Sequence, residues 1–307
     1  KQKERKTIDF LGKRKLFFTI SVILILLVPV GMGVFHAKDG KALNYSLEFM
    51  GGTSTNVTFN DDMSIDDLDS QVKPVVQEVT GDANIQISKV ADSNAVIIKT
   101  RSLTLDERQE LNQKLVDSFG VDESKITAES ISSTVSSEMR RDAIVAVLIA
   151  TICMLLYIWF RFKDVRFASS AVLALLHDVL VVLAFYALSR ISVGNTFIAC
   201  MLTIVGYSIN ATIVIFDRIR ENLKAAGKKA DLKELVNLSI TQTLTRSIYT
   251  SFTTFITIFV VFVMGVSSIR EFALPIMVGI VCGAYSSVCI TGALWYVLKT
   301  KVGKRAK

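Results

Sequence analysis

The order of polar and apolar stretches constrains the fold of this chain more than any other feature of its sequence. A polar block at residues 36–142 separates one apolar segment from five more. Each segment is long enough to cross about 30 Å of hydrocarbon as a helix rising about 1.5 Å per residue. The sequence predicts an α-helical polytopic membrane protein with six transmembrane helices, at residues 16–35, 143–159, 167–188, 196–216, 248–266 and 272–298.

Positive charge predicts the orientation of these helices. Lysine and arginine number 7 in residues 1–15, 3 in 160–166, 7 in 217–246 and 5 in 299–307. Short loops rich in these residues stay in the cytoplasm, so both termini are predicted to be cytoplasmic and the polar block extracytoplasmic. The predicted parts are a cytoplasmic N-terminus with helix one (1–35), the extracytoplasmic domain (36–142), helices two to six (143–298) and a basic cytoplasmic tail (299–307).

The net charge of +7 combines two oppositely charged regions. Residues 37–139 contain 9 basic and 18 acidic residues, a net charge of −9, and the remainder of the chain carries +16. The positive charge therefore lies beside the membrane helices, where anionic lipid attracts it. This distribution predicts membrane lipid as a partner and argues against nucleic acid.

The polar block has the alternation and turn signals of a small α+β domain. Alternating polar and apolar residues predict strands, Gly51 and Gly52 predict a bulge, and Thr104 with Glu107 predicts a capped helix start. The order βαββαβ is that of a ferredoxin-like domain, here inserted between helices one and two. The first strand of this order is predicted in two parts, residues 43–50 and 53–59, on either side of the bulge. The other predicted strands cover 83–90, 95–100 and 126–131, and the predicted helices cover 64–79 and 104–119.

The outer domain has no recognisable catalytic or metal-binding pattern. It lacks a glycine-rich phosphate loop, a metal-ligand spacing and a pair of nucleophile and base, and the chain's histidines are His36 and His177. All four cysteines lie in apolar segments, where we interpret them as small packing residues. We therefore expect no enzymatic activity, no organic cofactor and no metal site, and we predict binding or transmission of force.

Asp178 is the first candidate functional residue within the membrane. It lies near the midpoint of helix three, where an ionised carboxylate costs at least about 2.5 kcal/mol and usually faces a partner or a wet cavity. A protonated aspartate or a hydrogen bond between helices is the alternative interpretation. The neighbouring His177 points about 100° away on a helix, so we expect it to face a different partner and to be a packing residue.

Helices four and five carry further polar candidates. Asn210 is the mid-membrane member of a stripe on helix four, and Arg246, Thr250 and Thr253 share one face of helix five. Hydroxyl groups so placed hold a file of water molecules or bond a neighbouring helix, and the second role is the commoner one. Arg246 has the further alternative of extending its guanidinium to the cytoplasmic surface.

Two patterns predict how the helices pack. Gly279 and Gly283 form a GxxxG motif in helix six, which permits close approach of another helix. Residues 231–243 have apolar side chains on one side and polar side chains on the other, which predicts a helix lying on the inner membrane surface.

Seven segments, spread over most of the chain, resemble the SecF family of bacterial protein export, within the resistance-nodulation-division superfamily. The resemblance implies a ferredoxin-like outer domain and a complex in which SecD and SecF halves, separate or fused, surround a proton path. It also implies the bacterial inner membrane, the SecYEG translocon and translocating unfolded polypeptide as partners, and a proton or sodium gradient as the driving force. The segments are LEFMGGT at 47–53, LLYIWFRF at 155–162, ALLHDV at 174–179, NTFIACMLTIVGYSIN at 195–210, IVIFDRIREN at 213–222, TLTRSIYTSFTT at 243–254 and EFALPIMVGIVCGAYSS at 271–287.

The sequence departs from the pattern of that family at Ile131-Ser132-Ser133, where the family has Val-Gly-Pro, and, with more consequence, at the position after Asn210. In the family, GYSIN is followed by an aspartate that is expected to carry the proton and to face the arginine matched by Arg246. This chain has Ala211 at that position, and a methyl group does not bind a proton. The chain is then a disabled variant, which is the interpretation we favour, or another carboxylate serves, or proton coupling is lost.

The resemblance implies that the chain, with SecD, uses the proton motive force to pull or release translocating polypeptides on the outer face. Gly51 and Gly52 are hinge candidates for the outer domain, although a bulge is their commoner role. Two alternatives remain: half of an exporter of small molecules or lipids, and a non-conducting scaffold of the translocon. The exporter predicts a larger, more apolar outer domain, and the scaffold predicts that neutral substitutions of Asp178 and Arg246 are tolerated.

Overall fold

The chain forms two compact units in a computed structural model. One unit comprises residues 1–44 and 146–307, and the other comprises residues 45–145. The structure describes residues 7–39, 42–82, 85–90, 93–162, 164–227, 231–265 and 267–302.

Within the described residues, six helices are long and apolar enough to cross a membrane, which confirms the predicted number. Each predicted apolar segment lies within one of these helices, apart from Gly265, which follows the end of span five, and Val266, which is outside the described residues. The helices extend beyond the apolar segments because polar residues continue the same hydrogen-bonded backbone. Spans one to five are Arg14–Asp39, Ser133–Phe162, Val165–Ser189, Asn195–Ala226 and Leu232–Met264, and span six runs through Ser267–Tyr285, Ser286–Thr291, Gly292–Val297 and Leu298–Val302.

Spans three and six form the centre of the first unit. Half of the residues in the apolar stretch of span three are buried, as are 67% of those in span six. The corresponding share for span five is 6%. Trp295 of span six is fully buried and stacks on Phe167 of span three with a centroid separation of 5.0 Å. Spans two and five therefore present most of their side chains to the surroundings.

The first turns of span five correct one prediction. Residues 231–243 do not form a separate surface helix, because the helix Leu232–Met264 is continuous. Leu235, Val236 and Ile240 are buried against the core that contains Trp295. Their apolar face packs on protein. An apolar face has the same sequence pattern whether it meets protein or lipid, so the pattern resembled that of a membrane-surface helix.

Residues preceding span one also pack on the start of span five. The Asn237 side chain accepts from the Leu11 N–H at 3.0 Å and donates to Asp9 at 2.8 Å, and Leu11 is fully buried. The Gly12 N–H, then Asn237 and Lys233, lower the pKa of Asp9 by hydrogen bonding to its carboxylate. This segment is therefore an ordered part of the first unit.

The second unit contains a four-stranded antiparallel sheet and short helices. The strands pair in the order β2-β3-β1-β4, so β1 and β3 form its centre. Val57, Ile98 and Leu111 belong to a buried core between one sheet face and the helices. In chain order the elements are α1 (Leu47–Met50), β1 (Gly52–Thr58), α2 (Ile65–Asp67, Leu68–Val72 and Lys73–Thr80), β2 (Gln86–Lys89), β3 (Ala95–Thr100), α3 (Leu105–Phe119) and β4 (Ile126–Ile131).

Several predicted elements of this unit are confirmed and one is wrong. The strands at 95–100 and 126–131 have their predicted limits, and Thr104 and Glu107 form the predicted capping box. Residues 43–50 do not form a strand, because 47–50 make one helical turn that buries Leu47 and Phe49. An apolar residue at every second position satisfies a single helical turn as well as a strand. Residues 83 and 84 of the strand predicted at 83–90, and residue 92 of the turn that follows it, lie outside the described residues.

Candidate functional site

Asp178 is enclosed by three spans of the helix bundle. Its side chain in span three has no exposed surface. Ser208 of span four and Ser286 of span six donate to its Oδ2 at 2.5 and 2.7 Å. The Cys282 thiol of span six donates to Oδ1 at 3.3 Å. These donors replace the hydrogen bonds to water that a carboxylate loses when it is buried.

The His177 imidazole approaches the same carboxylate. Its Nδ1 is 3.0 Å from Asp178 Oδ1 and 3.9 Å from Cys282 Sγ. The expectation that His177 and Asp178 face different partners is therefore wrong, because the reach of the side chains offsets the angle between their Cβ directions. The interpretation of Cys282 as a packing residue alone is also incomplete, because its thiol donates to the same carboxylate.

Close packing of spans four and six brings the serine donors to Asp178. A Cβ atom added at Gly279 would overlap the Ile204 side chain, and one added at Gly283 would lie 3.3 Å from the Ser208 Cβ. The GxxxG pattern therefore faces span four. Gly283 lies beside the serine that donates to Asp178.

The other candidate relay residues are exposed on the surface of spans four and five and do not contribute to the interior of the bundle. They are Asn210, Arg246, Thr250 and Thr253, and Ala211, next to Asn210, is partly exposed. The hydroxyl groups of Thr250 and Thr253 each donate to a carbonyl group one turn earlier in their own helix, at 2.9 Å. The structure thus separates the enclosed carboxylate from an exposed polar face. This polar face consists of Asn210, Arg246, Thr250 and Thr253.

The two hinge candidates connect α1 to β1 in conformations that favour glycine. The φ angles of Gly51 and Gly52 are 71° and 113°. A Cβ atom at Gly52 would overlap the Thr100 carbonyl oxygen, and one at Gly51 would lie 2.9 Å from Ser136 Oγ. Local geometry therefore requires glycine here, whether or not the second unit moves about this point.

Sequence reasoning missed the residues that complete the Asp178 cluster. Ser208, Cys282 and Ser286 are short side chains in apolar helices and carry little signal individually. One signal was available, since Ser286 lies three positions after Gly283 and so continues the face defined by Gly279 and Gly283. Assigning that face to Asp178 required the fold, because span six lies about 100 residues after Asp178 in the sequence.

These features define a multi-pass membrane protein whose helix bundle encloses a carboxylate. Residues 111–301 match the model of the family described as "Protein export membrane protein SecD/SecF, C-terminal". The chain belongs to this family. It is 35% identical to the protein translocase subunit SecF of Calditerrivibrio nitroreducens, over 97% of this chain and 96% of that relative.

Longer relatives and a solved structure agree with this assignment. The chain is 33% identical to the protein translocase subunit SecDF of Bacillus subtilis, over 97% of this chain and 39% of that protein. A crystal structure of SecDF from Thermus thermophilus, described as a translocon-associated membrane protein, superposes with a TM-score of 0.79 at 33% identity. That match covers 96% of this chain and 39% of the SecDF chain. The chain therefore spans about two fifths of each SecDF polypeptide.

Proposed function

We propose that this chain is a membrane subunit of a Sec accessory complex that helps to pull or release translocating polypeptides. The observation that carries the proposal is the exposed polar face of spans four and five. A guanidinium and amide exposed on apolar helices are costly in lipid, so they favour a companion protein or a wet path. Tyr207 donates to Ser251 at 2.9 Å and so holds the two spans together beside this face.

We propose a SecD half as the companion, either separate or fused upstream. The support is that relatives named SecDF carry a region similar to this chain within a longer polypeptide. A second six-helix half packed on spans four and five would cover the polar face. The SecYEG translocon and an unfolded polypeptide in transit complete the proposed set of partners.

The proposed driving force is a proton or sodium gradient, without an organic cofactor or an enzymatic reaction. Moving one charge through 100 mV releases about 2.3 kcal/mol, which is enough to bias a rearrangement of helices. The proposed path follows Asn210, Arg246, Thr250 and Thr253. Ala211 lies beside Asn210 and has no titratable group, so we propose that proton transfer through this chain is impaired. The role of Asp178 in the relay stays a prediction from the sequence.

The proposed location is the bacterial inner membrane, with both termini in the cytoplasm and the second unit outside. Basic loops support this orientation. The element order βαββαβ and the strand order β2-β3-β1-β4 support a ferredoxin-like domain between spans one and two. Gly51 and Gly52 are the proposed hinge at the start of this domain.

Comparison of Ala211→Asp with Ala211→Asn tests the proposed path. The two side chains have similar size, and only the aspartate exchanges a proton. Membrane vesicles that contain this chain and a SecD half would be given an inward proton gradient, and proton uptake and protection of a late export intermediate would be measured. We expect Ala211→Asp to raise both and Ala211→Asn to raise neither. Equal proton uptake by the parent and Ala211→Asp would contradict the proposed role of position 211.

A scaffold of the translocon is the second candidate function. The observation that favours it is the complete enclosure of Asp178, whose carboxylate oxygens already meet polar groups from spans three, four and six of this chain. A scaffold requires only that the bundle stays folded. Export that is unchanged in both Asp178→Asn and Arg246→Gln, with normal expression, would favour the scaffold over the coupled mechanism.

A further inference from the structure

We propose that His177, Asp178 and Cys282 form a binding site for a zinc-class divalent metal ion inside the helix bundle. This inference goes beyond the proposed export function and does not depend on it. Spans three and six bring together an imidazole nitrogen, a carboxylate oxygen and a thiol sulfur. All three side chains are at least nine-tenths buried, at 5%, 0% and 7% exposure.

The separations of the three ligand atoms fit one metal ion. Zinc binds sulfur at about 2.3 Å and nitrogen or oxygen at about 2.0–2.2 Å, so tetrahedral angles place the ligand atoms about 3.3–3.7 Å apart. The observed separations are 3.0 Å for Nδ1 to Oδ1, 3.3 Å for Sγ to Oδ1 and 3.9 Å for Sγ to Nδ1. A point about 2.0 Å from Nδ1 and Oδ1 and about 2.3 Å from Sγ therefore exists, slightly outside the plane of the three atoms, and these are ordinary bonding distances.

The charges of the ligands also suit a divalent cation. A carboxylate and a thiolate together carry two negative charges, which one Zn²⁺ neutralises. Buried charges are stable in proteins when they are paired or coordinate a metal. Binding would displace the Cys282 thiol proton, which leaves to solvent.

The serine hydroxyls orient the carboxylate for this role. Ser208 and Ser286 both donate to Oδ2, which leaves Oδ1 directed towards His177 and Cys282. Hydrogen bonds of this kind fix the geometry of a metal-binding carboxylate, and their loss typically costs 10- to 100-fold in affinity. On binding, the metal ion would replace the hydrogen bond between Nδ1 of His177 and Oδ1. The imidazole proton would then sit on Nε2, which has no hydrogen-bond partner in the described part of the chain.

The ligand set selects the class of metal. Thiolate with imidazole favours zinc, copper and cobalt over magnesium and calcium, which prefer oxygen ligands. Three protein ligands leave one position of a tetrahedral ion for water or another small ligand. Co²⁺ occupies such sites in place of Zn²⁺ and reports thiolate bonding through a charge-transfer absorption band.

The test is titration of the purified full chain in detergent with Co²⁺ after treatment with a chelator. We expect one equivalent of Co²⁺ to produce a thiolate charge-transfer band, and Zn²⁺ to abolish it by displacement. Cys282→Ser should eliminate the band, and His177→Ala should weaken affinity at least tenfold. Ser286→Ala should retain the band and weaken affinity about tenfold.

Cys289→Ser is the matched control, because Cys289 lies on the same span and is not one of the three converging ligands. This variant should bind Co²⁺ like the parent. Absence of a thiolate band in the parent chain would overturn the proposal, as would a band that persists in Cys282→Ser.

Alkylation of the parent chain provides a measurement that needs no variant. With the protein partly opened by mild denaturant, Zn²⁺ should slow modification of Cys282 and leave that of Cys153 unchanged, as mass spectrometry of the peptides would show. Equal modification of Cys282 with and without Zn²⁺ would count against the site even if a substituted chain failed to fold.

Discussion

The Ser286 hydroxyl of span six donates a hydrogen bond of 2.7 Å to the fully buried Asp178 carboxylate of span three. It shares the Oδ2 atom with Ser208 of span four. One oxygen atom thus joins two consecutive helices, spans three and four, to span six, which lies about 100 residues later in the sequence. Two small side chains thus connect spans four and six to the carboxylate of span three.

Ser286→Ala is expected to destabilise the first unit. Loss of a hydrogen bond typically costs about 0.5–1.5 kcal/mol, and up to about 3 kcal/mol where one partner is charged. The free energy of unfolding in mixed micelles, followed by circular dichroism, would measure the change. Thr250→Ala removes an exposed hydroxyl and should change stability by at most about 0.5 kcal/mol. Equal effects of the two substitutions would contradict this account of Asp178.

Gly279→Ala is expected to disturb the contact between spans four and six. The added methyl group would overlap Ile204, which is 1% exposed and has little room to move. Overpacking of this kind costs about 1–3 kcal/mol. Gly206→Ala is the control, since a Cβ atom there meets nothing within 4 Å and alanine favours a helix by about 1 kcal/mol. Thermal unfolding should show a loss for Gly279→Ala and no loss for Gly206→Ala.

Gly52→Ala is expected to disrupt the start of β1. Its φ of 113° and the adjacent Thr100 carbonyl oxygen both exclude a side chain. Gly120→Ala provides a comparison, because Gly120 also has positive φ but a Cβ atom there meets nothing within 4 Å. Hydrogen exchange of β1 should accelerate strongly in Gly52→Ala and little in Gly120→Ala. Similar exchange in both variants would show that backbone strain alone limits position 52.

Glu107 is expected to make the second unit less stable in acid. Hydrogen bonding from Arg101, and then from the Thr104 backbone, lowers its pKa to about 2 from an ordinary value of 4.5. A depressed folded-state pKa stabilises the fold fully above the unfolded pKa, and this stabilisation is lost as pH falls towards 2. The stability difference between the parent and Glu107→Gln should therefore be constant above about pH 5 and shrink below about pH 4.5.

Glu129→Gln is the control for the effect of acid. Glu129 is exposed on β4 and is not part of the Arg101 contact. Urea unfolding of both variants at several pH values would separate the ion pair from the general effect of protonation. A difference for Glu107→Gln that does not vary with pH would show that the capping hydrogen bonds, and not the charge, provide the stabilisation.

Local signals were sufficient for much of the fold. The six spans follow from runs of apolar residues, and the start of α3 follows from Thr104 and Glu107, which interact with each other three residues apart. Residues 43–50 were misread because a pattern of apolar residues at every second position does not distinguish a short strand from one helical turn. Residues 231–243 were misread because an apolar face does not reveal whether it meets lipid or protein.

The candidate site was only partly predictable for a different reason. Asp178 is conspicuous because a carboxylate in an apolar run is costly. Ser208 and Cys282 become significant only through contacts between spans three, four and six. The exposure of Arg246 also required the fold, since its helical spacing fitted an inward and an outward face equally well.

The large buried fraction of span six has a consequence for biogenesis. This helix leaves the ribosome after the other five, yet it supplies Ser286, Cys282 and Trp295 to the centre of the first unit. Until it enters the bilayer, Asp178 lacks two of its donors and the earlier helices have no completed interior. Maturation of the bundle is therefore a late event, and a nascent chain stalled before residue 282 should be a ready substrate for membrane quality-control proteases.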